Sequence, residues 1–185
     1  MKKRAIRSAS QSLNPQGSPG IANGALQYDN EFWRFSLAVY GEAGVAEECL
    51  ALQQAVGADI NLLLFCAWAG AQGVVLEGDD IERVMARVAA WQDHIVRPLR
   101  SVRQNMKGLE LEDSENFRAR VKSVEIEAEQ IEQAILFACS ERFKSACRDI
   151  RNAIAANIGK YIELKSGQKG LAAPVLIDAA LRLRS

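Results

Sequence analysis

Apolar residues recur along this chain at steps of three and four, the period of a helix. Sustained alternation, the period of a strand, is nearly absent, as are Asn-Gly or Asp-Gly hairpin signals between apolar runs. The pattern predicts an all-α fold: a single helical bundle of about six or seven helices over residues 29–185, preceded by a tail over 1–28. Asp29 is a good N-cap for a first helix over 30–40. Gly41 and Gly44 bracket a turn, and a second helix carries Val45, Cys49, Leu52 and Val56 until Gly57 stops it. Asp59 caps a third helix over 60–71 that is apolar on every side, as suits the centre of a bundle.

A fourth helix begins after Asp79 or Asp80 and places Ile81, Val84, Met85, Val88, Ile95, Leu99, Val102 and Met106 on one stripe. The stripe runs through Pro98 without changing phase. This predicts one long helix with a bend and a freed carbonyl at His94, ending at Gly108. The fifth helix alternates steps of four and three through Phe117, Val121, Val124, Ala128, Ile131, Ile135 and Ala138. Glu125, Glu127, Glu129 and Glu132 lie off that seam. Such a seam fits packing within the bundle; a homodimer through 117–138 is the alternative. A further helical stretch carries Phe143, Cys147, Ile150, Ile154, Ile158 and Tyr161, and a last one starts at Pro174.

Three blocks carry a family resemblance: Phe32-Trp33-Arg34-Phe35-Ser36-Leu37-Ala38-Val39-Tyr40, then Asp59-Ile60-Asn61-Leu62-Leu63-Leu64-Phe65-Cys66-Ala67-Trp68, then Trp91 with Val96-Arg97-Pro98-Leu99-Arg100. The chain resembles a family of short bacterial proteins of unknown function marked by FWxFSLxxY and NLLLFxxW segments, most closely over 29–108. The resemblance implies a helical, cytoplasmic domain and brings no catalytic residues with it.

Composition alters this picture little. The 23 basic and 23 acidic residues cancel, which argues against a surface built to coat nucleic acid. The tail is the exception: Lys2, Lys3, Arg4 and Arg7 precede the first acid, Asp29, and no apolar run follows them, so it reads as a disordered basic segment rather than a secretory signal. No apolar run is long enough to span a membrane. Cys49, Cys66, Cys139 and Cys147 form no CxxC pair and fall at apolar helical positions, as buried thiols in a reducing cytoplasm do. On a continuous helix Cys139 and Cys147 would sit ~12 Å apart, too far to bridge.

Candidate chemistry centres on the fourth helix, where Arg97, Arg100, Arg103 and Lys107 share one face. Cations so close repel unless anions answer them. The anions are either acids of a neighbouring helix, such as Glu125, Glu127, Glu129 or Glu132, or a phosphate, a carboxylate or an acidic partner. His94, the single histidine, lies one turn before Arg97 and lacks the Glu-x-x-His spacing of a di-iron bundle. Trp33, Tyr40, Asn61 and Trp68 would shape a pocket between the first, third and fourth helices, with Arg97 and Arg100 holding an anionic group. Asp79-Asp80 reads as a helix cap, and neither a metal site nor a cofactor motif emerges. The sequence thus points to a binding or interaction module using a basic helix face. The alternative is an enzyme or carrier holding an anionic small molecule in a pocket between helices.

Overall fold

The computed structural model of the protein describes residues 26–109, 112–144 and 147–184. The basic residues of the expected tail lie outside the described residues. The described residues are helical: α1 Glu31–Tyr40, α2 Val45–Val56, α3 Ile60–Ala71, α4 Gly78–Trp91, a π-helical turn Gln92–Val96, α5 Arg97–Asn105, α6 Ser114–Ser140, α7 Ile150–Ser166 and α8 Pro174–Arg182. No strand occurs among them. Because α4, the π turn and α5 run on without a break, they form one rod, and the described residues make seven rods. None is long and apolar enough to cross a membrane.

The apolar α3 occupies the centre. Leu62 to Ala71 are buried on every side, and α7 packs against them more extensively than any other helix. Gly70 makes that crossing close: a Cβ there would lie 2.5 Å from the Ile154 Cα and 2.6 Å from its backbone nitrogen. Asn157, fully buried on α7, then fastens the chain leaving α3. Its Nδ2 donates to the Val74 carbonyl at 2.9 Å and the Cys66 carbonyl at 3.3 Å, and its Oδ1 accepts from the Leu76 N–H at 2.8 Å. Trp68 packs with Phe32, Phe65 and Phe137 in an aromatic cluster that joins α3 to α1 and α6. The Glu48 carboxylate on α2 accepts from the Val175 and Leu176 N–H groups, so another helix caps the start of α8.

Several expectations need correction. The cap of α1 is Asn30, whose side chain accepts from the Trp33 N–H at 2.8 Å. Asp29 instead pairs with Arg34. The rod through Pro98 starts earlier, at Gly78, and the Asp80 carboxylate accepts from the Glu77 N–H. Phe143 and Cys147 belong to no helix. None of the described residues between Ser140 and Ile150 is helical, and the Cys147 N–H donates to the Gly73 carbonyl. That break would permit the Cys139–Cys147 approach that a continuous helix forbids, yet both are free thiols.

The two stripes change most. The π turn inserts an extra residue into the helical count, with the Arg97 N–H bonded back to the Gln92 carbonyl. The proline ring, which would press on the preceding turn, follows a widened one. Phase therefore shifts: the buried positions are Val88, Gln92 and Val96, followed by the part-buried Arg100 and Arg103, while Val102 is 47% exposed. On α6 the buried line is Glu125, Ala128, Glu132 and Leu136; Phe117 and Val124 of the expected seam are about half exposed, at 49% and 48%. Two glutamates occupy the inward side because polar partners meet them there.

Candidate functional site

The basic helix face is turned toward α6. Arg100 donates to Glu125 at 3.2 Å and to Glu129 at 2.5 Å. Arg103 grips both oxygens of Glu125, one of them through its Nε and the other through its Nη2 at 3.1 Å. These guanidinium bonds hold the Glu125 carboxyl below its ordinary value although burial works against them. For Glu129 burial prevails over Arg100, and the carboxyl sits above its ordinary value. Arg97 points elsewhere and makes an exposed pair with Asp93 one turn back. Lys107 and His94 are exposed, Lys107 in the turn after α5 and His94 in the π turn.

Deeper in, three helices converge on Glu132, which is fully buried. The Gln92 Nε2 donates to one carboxyl oxygen at 2.7 Å, and the Asn61 Nδ2 donates to the other at 3.0 Å. Gln133 donates to the Asn61 Oδ1 at 2.8 Å, while its own Oε1 is buried without a partner. Trp91, next to Gln92, donates from its indole to the Ala128 carbonyl at 2.9 Å and ties the start of the π turn to α6. The donors to Glu132 are neutral amides. Among the described residues no cation lies within ion-pair distance of it. Burial, and then the nearby Asp59 carboxylate, push the Glu132 carboxyl up to about 8.

Asp59 completes the arrangement at the N-terminus of α3. Gly57 closes α2 in the left-handed region, at φ 66°, and turns the chain so that Asp59 meets α7. Its N–H donates to the Tyr161 hydroxyl oxygen at 2.7 Å, and its Oδ1 accepts from the Leu62 N–H at 3.2 Å. Burial raises the Asp59 carboxyl above its ordinary value; Arg100 and Arg97 counter this only from a distance.

Asp59 also forms part of the wall of a cleft of about 270 Å³ between the start of α3, the α4 rod and α7. Leu62, Met85, Ala86 and Ala89 make its apolar wall. Gln92, Tyr161, Arg97, Asp93 and Lys165 supply polar groups. Two cations thus stand at the cleft, Arg97 lightly held by Asp93, and Lys165 with no carboxylate partner among the described residues. The π turn is what lets the α4 rod serve both places: Gln92 enters the buried network, while Asp93 and Arg97 line the cleft.

Of the residues singled out from sequence, Asn61 belongs to the buried network, Trp68 to the aromatic core and Arg97 to the cleft. Trp33 and Tyr40 are half-buried on α1, outside the cleft lining. Burial raises the Tyr40 hydroxyl above its ordinary value. Sequence reasoning missed Asp59, Gln92, Tyr161 and Lys165 as site residues, and it offered Glu132 as a partner of the arginines, whereas its partners are Gln92 and Asn61. Asp59 reads as a plain cap and Tyr161 as a member of an apolar stripe. The one available signal is spacing, since Gln92 follows Val88 by four and Glu132 follows Ala128 by four, polar residues on inward lines. Among the described residues no group of three or more His, Cys, Asp or Glu is placed to hold a metal ion.

The architecture is that of a helical bundle with an apolar centre and a buried polar network beside it. Residues 31–136 match the model of the DUF2390 family, described as proteins of unknown function, and the chain belongs to that family. The match takes in Asp59, Gln92, Arg97 and Glu132; Tyr161 and Lys165, on α7, lie beyond it. No curated protein and no solved structure matches the chain.

Proposed function

We propose that this chain is a small-molecule-binding protein whose site is the cleft between α3, the α4 rod and α7, with Arg97 and Lys165 receiving a phosphate or carboxylate group. The observation that carries this reading is the cleft itself, a concavity of about 270 Å³ with two cations not committed to buried acids. That is close to the lower end of ligand pockets, roughly 300 Å³, and suits a compact metabolite. The Asp93 pair is exposed, so exchanging it for a ligand anion costs Arg97 little. Arg100 and Arg103 make the opposite case: each would have to abandon Glu125, 5% exposed, to serve an outside partner. That cost weighs against docking through the wider basic face. A reducing, cytoplasmic setting belongs to the proposal and is supported by four unpaired cysteines.

The test is a thermal-shift screen of the full chain against inorganic phosphate, phosphorylated metabolites and small carboxylates, beside an Arg97→Ala/Lys165→Ala variant. A ligand at ~100 times its Kd stabilises the wild type by about 2.7 kcal/mol, and the variant is expected to lose that shift. Equal shifts in both proteins, or none in the wild type, would overturn the reading.

An interaction module is the second reading, and one observation favours it. Phe117 and Val124 on α6, and Val102 on the adjoining α5, leave apolar side chains about half exposed. A homodimer through 117–138 would cover those on α6.

A further inference from the structure

Three glutamates of α6 and the aspartate that caps α3 are treated in two opposite ways. Glu125 and Glu129 meet guanidinium groups. One turn on, Glu132 is fully buried and meets only the amides of Gln92 and Asn61. Asp59, 9% exposed, meets backbone N–H groups but no cation within ion-pair distance among the described residues. Burying a carboxyl without a counter-ion is expensive unless it stays protonated or a cation arrives. Glu132 has no route to solvent of its own, but Asp59 lines the cleft, and Gln92 lines it too while bonding Glu132 from behind. A positive group in the cleft would therefore meet the Asp59 carboxyl directly. The same cleft carries Arg97 and Lys165, which call for a negative group.

We infer that the ligand of this cleft is a small zwitterion, with a protonated amine seated at Asp59 and a carboxylate or phosphate at Arg97 and Lys165. This rests on the proposed function above and adds the opposite end of the ligand. The Tyr161 hydroxyl oxygen already accepts from the Asp59 backbone N–H, so it fixes where Asp59 sits. The apolar wall of Leu62, Met85 and Ala89 between the two polar ends suits the carbon chain of such a molecule.

The experiment is calorimetric titration of the full chain at neutral pH with ω-amino acids of two to six carbons. Each is paired with the carboxylic acid and the amine of the same length. At least one amino acid of the series is expected to bind ten-fold or more tightly than its matched acid and amine. In Asp59→Asn, where asparagine keeps the α3 cap, that amino acid is expected to lose its advantage over the acid, whose own binding is not weakened. If no amino acid exceeds its matched acid while acids still bind, the zwitterion is wrong and the anion site stands. If neither acids nor amino acids bind, and the phosphate and carboxylate screen is also blank, both fail.

Discussion

Glu125 and Glu132 sit seven residues apart on the inward line of α6, and their partners set them apart. Glu125 is held by Arg100 and Arg103 and stays ionised. Glu132 is held by amides and keeps its proton up to about pH 8, whereas an unfolded glutamate loses it near its ordinary 4.5. Across that window the folded chain binds the extra proton, so this residue's contribution to stability falls as pH rises. Relative to Glu132→Gln, the wild type is expected to lose stability on the order of 1 kcal/mol per pH unit over part of pH 5 to 8.5. Urea unfolding at a series of pH values measures the difference, and parallel curves for the two proteins would contradict it. The arginines divide similarly. Arg100→Ala strands the part-buried Glu129, takes from the buried Glu125 one of its two guanidinium partners, and should cost about 3 kcal/mol or more. Arg97→Ala breaks an exposed pair and should cost less than about 1 kcal/mol. Equal losses in denaturant titrations would show that Arg100 is not the internal partner described.

At the scale of elements, two close fits organise the bundle. The α3–α7 crossing depends on Gly70, because an added methyl would meet the Ile154 backbone rather than a side chain that can swing away. Gly70→Ala is expected to destabilise the chain by roughly 1–3 kcal/mol or more, read as a lowered melting midpoint; an unchanged midpoint would mean the helices part freely. The other fit is the π turn, and it explains what the sequence reading could and could not reach. Helix existence was legible because the three-and-four spacing and the caps at Asp59, Gly57 and Pro174 act locally. Facing was not. A stripe drawn at an even 100° per residue keeps Ile95, Leu99 and Val102 inside, but one extra residue at Gln92–Val96 rotates everything after it. On α6, hydrophobicity favours the Phe117–Val124 line, and only the long-range partners of Glu125 and Glu132 reverse that choice. Of the site residues, Arg97 was legible as a cation near a helix break. Asp59 and Tyr161 were not, because their meeting across 102 positions leaves no local mark.

For the whole molecule, the bundle is built around the apolar α3, with a buried polar network at one side of it that reaches the cleft through Gln92. The central claim is that the cleft at Asp59, Arg97 and Lys165 receives a ligand while the Arg100/Arg103 face is occupied from within. The most direct measurement is NMR chemical-shift mapping of the isotope-labelled full chain during titration with inorganic phosphate, small carboxylates and ω-amino acids. The account predicts saturable shifts clustered at Asp59, Gln92 to Arg97, Tyr161 and Lys165, with the side-chain signals of Arg100 and Arg103 little changed. Shifts centred on Arg100, Arg103 and Glu125, or no saturable shift with any of these probes, would contradict it.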